Sequence, residues 1–190
     1  MVKIYDGIDD RLGEWLMAQP MFVVATAPSQ GGHVNASPKG MAGTFAVVDE
    51  RTVAYLDYTG SGAETIAHVR ENGRITLMFT AFTGPPNIVR LQGTGRVVQV
   101  GDADFAALRA LFPKQRERGQ RAVVVVSCDR IADSCGYSVP LMDFVADRDL
   151  LDQHQERRDD EYYERYWAQK NTESVDGIPA LDLSRTTPPA

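Results

Sequence analysis

The sequence predicts a mainly β protein with flanking helices, in which short antiparallel strands form a barrel or a sandwich. Most apolar segments are runs of about four to eight residues bounded by Gly, Pro, Asp or Asn, which is typical of strands joined by tight turns. Helical periodicity appears in few segments, so a parallel sheet with alternating helices is not expected. With 43% hydrophobic residues in a chain of 190, one ordinary domain has enough apolar material for a core.

The first segment predicts an amphipathic helix, and a series of strands follows it. Leu12, Trp15 and Leu16 fall on one helical face, and Pro20 ends the helix. Further helices are predicted at residues 62–72 and, after the cap residue Asp102, at residues 105–112. The predicted strands are residues 21–27, 34–37, 44–48, 52–58, 74–81, 87–100 and 121–128.

The composition changes after residue 145, which divides the chain into two predicted parts. Residues 1–145 are expected to form the β domain. Residues 146–190 carry dense alternating charge and predict a helical arm that ends in a disordered tail, SRTTPPA. Because this helix is polar nearly all round, the arm is expected either to be solvated or to pack its Tyr and Trp side chains on a partner.

Charge and hydropathy exclude several classes of protein. The 20 basic against 26 acidic residues give a net charge of −6, which disfavours nucleic-acid binding. No apolar run approaches the ~20 residues of a membrane-spanning helix. The N-terminus has no apolar signal core, so a cytoplasmic protein without membrane contact is expected. The spacing of Cys128 and Cys135 matches no zinc motif, and both are expected to be free thiols.

The turn at residues 57–65 is the most informative segment for function. Ser61 followed by Glu64 three residues later is a capping-box pattern at the start of a predicted helix. Gly60 and Gly62 allow backbone N–H groups to approach a ligand, and a helix N-terminus favours an anion. The geometry suits a phosphate group. An ordinary capped turn without a ligand remains an open alternative, since no established phosphate or nucleophile motif matches.

Two further basic residues are candidates for binding the same ligand. Lys39 lies in the Ser37-Pro38-Lys39-Gly40 segment, where a Pro/Gly turn is predicted to follow the strand that ends at Ser37. A lysine so placed can serve as a point charge for phosphate. Arg90 alternates with Val89 and Leu91, so it faces either solvent or a cofactor cleft.

No side chain is predicted to be an acid, a base or a nucleophile. His33, His68 and His154 show no metal-binding spacing, so no metal site is predicted. The catalytic residues are therefore unknown, and in an enzyme of this kind a cofactor would supply the chemistry.

Four blocks occur in a specific order and spacing: SPKG, LDYTGSGAET, ENGRITLMF and FTGPPNIVRLQGTG. Together they resemble the pyridoxamine 5′-phosphate oxidase-like family, and CGYSVP matches it more loosely. The resemblance implies a six-stranded antiparallel split barrel of the FMN-binding type, which forms a homodimer with FMN in two clefts at the subunit interface. It also implies that the flavin phosphate is held by the 37–40 segment and the 57–65 turn. The cofactor-binding residues expected from the resemblance and from the residue patterns are Ser37, Pro38, Lys39, Gly40, Asp57, Tyr58, Thr59, Gly60, Ser61, Gly62, Glu64, Thr65, Arg90 and Tyr137.

The chain departs from the family pattern at basic positions. Val34 stands where the family has an Arg five residues before the strand lysine, and Glu64 and Thr65 stand in place of an Arg-Lys pair. These departures argue against a vitamin B6 phosphate as substrate.

The main hypothesis is an FMN-dependent oxidoreductase acting on an unknown small molecule, with Tyr137 and the partner's arm as possible walls of the flavin site. A non-catalytic flavin-storage module remains an alternative. A protein that binds the deazaflavin F420 is a further alternative. Another is a haem-binding protein with His33 or His68 as the axial ligand.

Overall fold

The computed structural model describes residues 2–186 and has the predicted mainly β architecture. The strands are Ile4–Tyr5 (β1), Met21–Thr26 (β2), Asn35–Gly40 (β3), Phe45–Asp49 (β4), Thr52–Tyr58 (β5), Arg74–Thr80 (β6), Ile88–Gln99 (β7) and Gln120–Ser134 (β8). The helices are Asp10–Met17 (α1), Glu64–Asn72 (α2), Phe105–Arg109 (α3), Leu150–Glu156 (α4) and Asp160–Lys170 (α5), and a 3-10 turn covers Leu183–Arg185.

One curled antiparallel sheet contains all of these strands. Seven strands follow one hydrogen-bonded path in the order β3-β2-β6-β7-β8-β5-β4, and the two-residue β1 pairs with β8. The expectation of six strands in the barrel was wrong. Both β3 and β4 form ladders with their neighbours, so each edge of the path carries a separate strand.

A glycine at a bulge bends the two longest strands. The register between β7 and β8 shifts between Gln92 and Gly93. A Cβ atom at Gly93 would lie 1.9 Å from the carbonyl oxygen of Ser127, so no larger residue fits there. Bulges of this kind kink a strand and increase its twist. The bend helps the sheet to curl around its core.

The core lies inside the curled sheet and contains an aromatic group. The ring of Phe22 lies 5.4 Å from Phe45, 5.6 Å from Tyr55 and 5.0 Å from Phe79, between ring centroids. The buried Leu16 of α1 belongs to the same apolar cluster. Edge-to-face and stacked contacts at these separations add to the free energy of burial.

Strand β3 continues through Pro38, Lys39 and Gly40, so the prediction of a turn after Ser37 was wrong. Pro38 pairs with Val23 of β2. A proline is tolerated here because β3 is an edge strand, where the missing N–H costs no ladder hydrogen bond. Lys39 is therefore held by strand geometry.

The C-terminal arm is helical, as expected, but it is not a solvated extension. Tyr163 and Trp167 of α5 are buried against α2 of the same chain. The predicted disordered tail begins at Ser184, which lies in the 3-10 turn, and residues 187–190 lie outside the described part of the chain. Within residues 2–186, none of the helices has the length and apolar character needed to cross a membrane.

Candidate functional site

The inner face of β3 lies along the 57–65 segment, so the structure brings together the two parts of the predicted phosphate site. The side-chain amide of Asn35 donates a 3.0 Å hydrogen bond to the hydroxyl of Thr65. The ammonium of Lys39 donates a 2.8 Å hydrogen bond to a carboxylate oxygen of Asp57. Because β3 and β5 lie near opposite ends of the strand order, these contacts form where the sheet curls back on itself.

Asp57 lies between two positive charges inside the protein. Its second carboxylate oxygen accepts a 2.6 Å hydrogen bond from Nε of Arg121, on the neighbouring strand β8. The side chain of Asp57 is only 1% exposed. Burial by itself would raise the pKa of Asp57, but the charges of Arg121 and Lys39 outweigh it and hold the pKa at about 2. Asp57 is therefore ionised at neutral pH.

This cluster carries one more positive than negative charge. Nη1 of Arg121 is buried and has no hydrogen-bond partner within residues 2–186. The Lys39 side chain is 23% exposed, so the excess charge is open to solvent on that side. A partly buried cation in a region of reduced dielectric attracts anions more strongly than a surface lysine does. The cluster can therefore support binding of an anionic group.

The turn that leads into α2 is open and has no side-chain cap. The residue before the helix is Ala63, with φ −131° and ψ 19°, and it makes no capping hydrogen bond from its side chain. The expected capping box of Ser61 and Glu64 was therefore wrong, because the cap position is taken by Ala63 and the helix begins at Glu64. Ser61 is exposed. A Cβ at Gly62 would lie 2.2 Å from Oε2 of Glu64, so the carboxylate folds back over the space beside Gly62.

Three other residues of the segment use their hydroxyl groups within the fold. The hydroxyl of Thr59 accepts a 2.8 Å hydrogen bond from the indole N–H of Trp167, and that of Thr65 accepts one from Asn35. Tyr58 donates to the carbonyl of Arg116. All three side chains are buried. They shape the turn, whereas Ser61 and the backbone of Gly60 and Gly62 remain at its surface.

Arg90 lies on the opposite face of the sheet from Lys39. In the register, Arg90 is opposite Met78, and Met78 is opposite Val23, so these side chains share the outer face. Lys39 is opposite Phe22, whose ring is in the core. The structure therefore does not bring Arg90 and Lys39 to one site within a single chain.

Tyr137 lies in an exposed apolar segment that follows β8. Its side chain is 83% exposed, and Leu141, Phe144 and Val145 are also exposed. The segment between β8 and α4 has no helix or strand. A series of exposed large apolar side chains is characteristic of a surface that binds another molecule.

The three histidines lie in separate environments. His33 forms a 2.7 Å contact with Asp176 and is largely exposed. His68 is buried, with Nδ1 3.0 Å from the hydroxyl of Thr26. Within residues 2–186, no group of three or more His, Cys, Asp or Glu side chains has a metal-binding arrangement.

Comparison with known proteins decides the family. The model of the pyridoxamine 5′-phosphate oxidase family matches residues 8–135. A curated relative, the pyridoxamine 5′-phosphate oxidase family protein ustO of Aspergillus flavus, is 38% identical over 198 residues, which cover 95% of this chain and 78% of the relative. This chain belongs to the pyridoxamine 5′-phosphate oxidase family.

Solved structures that resemble this family member support the same fold. HupZ of Group A Streptococcus has a TM-score of 0.53 at 23% identity, over 65% of this chain and 91% of HupZ. A variant of HupZ gives a TM-score of 0.55 at 23% identity, over 67% of this chain and 99% of the variant. At this level of identity the likeness concerns the fold alone.

The structure shows what replaces the basic residues of the family pattern. Val34 is exposed just before β3 and carries no charge. Glu64 places a carboxylate at the N-terminus of α2, where it accepts a 3.3 Å hydrogen bond from the N–H of Val175. This member of the pyridoxamine 5′-phosphate oxidase family therefore offers fewer positive charges around the turn than the pattern expects.

Sequence reasoning missed several contacts of the site in this family member, and it expected the aromatic arm residues at the site only from a partner subunit. Arg121 holds Asp57, and Asn35 joins β3 to α2. Trp167 and Asn171 reach the turn from the C-terminal arm. The i,i+4 spacing of Tyr163 and Trp167 on α5 was an available sign of a buried face, although the surrounding charge obscured it.

Proposed function

We propose that this protein binds FMN and acts as an oxidoreductase on a small molecule. The observation that carries the proposal is the position of the open, uncapped turn of α2 beside the net-positive cluster of Lys39, Asp57 and Arg121. A helix N-terminus and a nearby cation together favour a phosphate group. Membership of a family named for pyridoxamine 5′-phosphate oxidase supports a flavin as the ligand.

The residues at the turn fit a single phosphate group. Ser61 offers an exposed hydroxyl, and the position of Gly60 is open, since a Cβ there would meet only one atom, at 3.9 Å. Lys39 is partly exposed at the edge of the same region. Glu64 opposes binding, because its carboxylate lies at the same helix terminus. In this proposal Ser61, Lys39 and the backbone around Gly60 hold the phosphate, and Glu64 limits the affinity.

When bound, the flavin would supply hydride transfer at its N5 atom. Asp57 does not serve as a proton donor near neutral pH, because its pKa is about 2. Burial raises the pKa of Tyr55 well above its ordinary value, so that phenol stays protonated. Neither side chain therefore exchanges a proton in the reaction, and the reacting groups belong to the cofactor and the substrate.

A vitamin B6 phosphate is not the proposed substrate. Such a molecule brings a second dianionic group, which requires further cations in the cleft. Val34 and Glu64 stand at positions where the family pattern has basic residues. We propose a substrate without a phosphate group.

Two copies of the chain are proposed to form the complete site. Arg90 lies on the opposite face of the sheet from Lys39 within one chain, so it reaches a cofactor at the turn only from a second copy. The exposed apolar side chains of Leu141, Phe144 and Val145 supply a surface for such a homodimer. A cytoplasmic location belongs to the same proposal and is supported by the free thiols of Cys128 and Cys135.

The visible absorbance spectrum tests the cofactor. Purified protein is mixed with FMN, separated from excess by gel filtration, and scanned. Retained flavin bands at one FMN per chain support the proposal, and their loss on gel filtration overturns it. A Soret band would instead indicate haem, although the burial of His68 and the contact of His33 with Asp176 disfavour both as axial ligands. Reduction of the bound flavin by NAD(P)H, or by reduced F420, followed by substrate turnover separates an oxidoreductase from a storage module.

A further inference from the structure

Three side chains of the C-terminal arm bind two successive residues of the candidate phosphate turn. The side-chain amide of Gln155 donates a 3.0 Å hydrogen bond to the carbonyl of Thr59. That of Asn171 donates a 3.0 Å hydrogen bond to the carbonyl of Gly60. The indole of Trp167 donates to the hydroxyl of Thr59. All three donors are buried, so these bonds are protected from water.

The arm is anchored to the domain by other contacts as well. Trp167 packs against Ile66 and Ala67 of α2 in one apolar cluster. At the other end of the arm, the ammonium of Lys114 lies 2.6 Å from the carboxylate of Asp152, and both side chains are mostly buried. The donors that reach the turn are therefore held in place independently of the bonds that they make.

These hydrogen bonds also determine the direction of two backbone N–H groups in the turn. In a trans peptide the carbonyl of one residue and the N–H of the next point in opposite directions, and the described chain contains no cis bond. The carbonyls of Thr59 and Gly60 point to the arm. The N–H groups of Gly60 and Ser61 therefore point away from it. Within residues 2–186, neither N–H donates a hydrogen bond to a protein atom.

Resting on the proposed function, we propose that Gln155, Trp167 and Asn171 are positioning residues that aim the N–H groups of Gly60 and Ser61 at the phosphate. Two adjacent amides held on one side of a turn form an anion-binding concavity. Their orientation is fixed before the ligand arrives, so binding does not have to order the turn. The arm thus contributes to affinity without touching the ligand.

The decisive variant is Asn171→Leu, which keeps the approximate volume of the side chain and removes its N–H donor. Trp167→Phe is the second variant, because it preserves the aromatic packing if the first folds poorly. Gln169→Ala, on the exposed face of the same helix, is the matched control. We expect each of the first two to weaken FMN binding about tenfold, with the control unchanged, as measured by quenching of flavin fluorescence.

A readout that does not depend on FMN separates this inference from the proposed function. In ¹⁵N relaxation measurements, the order parameters of the Gly60 and Ser61 amides should fall in Asn171→Leu and stay unchanged in Gln169→Ala. Inorganic phosphate should shift both amide resonances in the wild-type chain and shift them less in the variant. If the wild type binds FMN and both variants bind it equally well, the inference is wrong while the function stands. If the wild type binds no FMN, the function fails, and absence of the phosphate shifts would overturn the inference as well.

Discussion

The carboxylate of Asp57 and the guanidinium of Arg121 form a 2.6 Å hydrogen bond between neighbouring strands, and both side chains are almost fully buried. Lys39 adds a second contact to the same carboxylate from β3. A buried ion pair of this kind is costly to break, because the remaining charge has no water to solvate it. The pair links the stability of the sheet to the charge of the candidate site.

The first prediction concerns the dependence of stability on pH. The folded-state pKa of Asp57 is about 2, below its ordinary value of 3.8. The stabilisation is therefore fully present above about pH 4 and is lost as the pH falls toward 2. It should amount to about 2 kcal/mol. Urea unfolding of the wild type and of Asp57→Asn between pH 2 and pH 5 measures this contribution. The difference in the free energy of unfolding between the two proteins should shrink toward low pH. A constant difference over that interval would contradict the assignment.

The second prediction concerns the buried cation. Arg121→Met should lower the free energy of unfolding by about 3 kcal/mol, because Asp57 keeps only Lys39 as its counter-charge. It should also raise the pKa of Asp57, which NMR titration of the carboxyl carbon can follow. Arg130→Met, at an exposed position of the same strand, is the control and should change stability by less than ~0.5 kcal/mol. Equal effects of the two substitutions would show that the pair adds nothing.

The third prediction concerns the proposed phosphate ligands. Lys39→Ala and Ser61→Ala should each weaken FMN binding by about 1–3 kcal/mol, through loss of charge-assisted hydrogen bonds. Ser61→Ala should leave the thermal midpoint unchanged because the side chain is exposed. Isothermal titration calorimetry with FMN measures the affinity, and Lys170→Ala on the surface of α5 serves as the control. Wild-type affinity in both variants would rule out the phosphate site.

The fourth prediction is that replacing the carboxylate of Glu64 strengthens FMN binding and lowers the stability of the protein. Glu64→Gln removes the negative charge beside the proposed phosphate and should tighten FMN binding by about 1 kcal/mol, roughly fivefold. The same change removes a favourable charge from the N-terminus of α2, so the protein should lose about 0.5 kcal/mol of stability. Glu164→Gln, on the exposed side of α5, should change neither quantity. Weaker binding in Glu64→Gln would mean that the phosphate does not lie at this helix terminus.

The strands were predictable because their patterns are local. The alternation of Phe22, Val24 and Thr26, all buried, has the period of two that a half-buried strand requires. The turn at residues 50–51 separates two apolar runs that pair as β4 and β5. The proximity of the 37–40 and 57–65 segments followed from their resemblance to a family, which carries long-range information that the residues alone do not.

The contacts that complete the site depend on pairs far apart in the sequence. Asp57 meets Arg121 where the β5–β8 register shifts: Asp57 is opposite Ala122, and Arg121 is the extra residue of the bulge that follows. The capping box at Ser61 does not form, because the helix begins only at Glu64, and the turn before it is bound by Asn171 through the carbonyl of Gly60. No local sequence pattern indicates either contact. The segment therefore matches the capping-box pattern in sequence but does not form a capping box in the structure.

The order of these elements along the chain has a consequence for synthesis. The turn at Thr59 and Gly60 leaves the ribosome long before Gln155, Trp167 and Asn171, which hold its carbonyls. A nascent chain that has already formed much of its sheet still presents these two peptide groups without their supports. Under the proposed function, FMN would be retained only after the arm has been synthesised, and a chain that ends before the arm should retain FMN less well than the full chain.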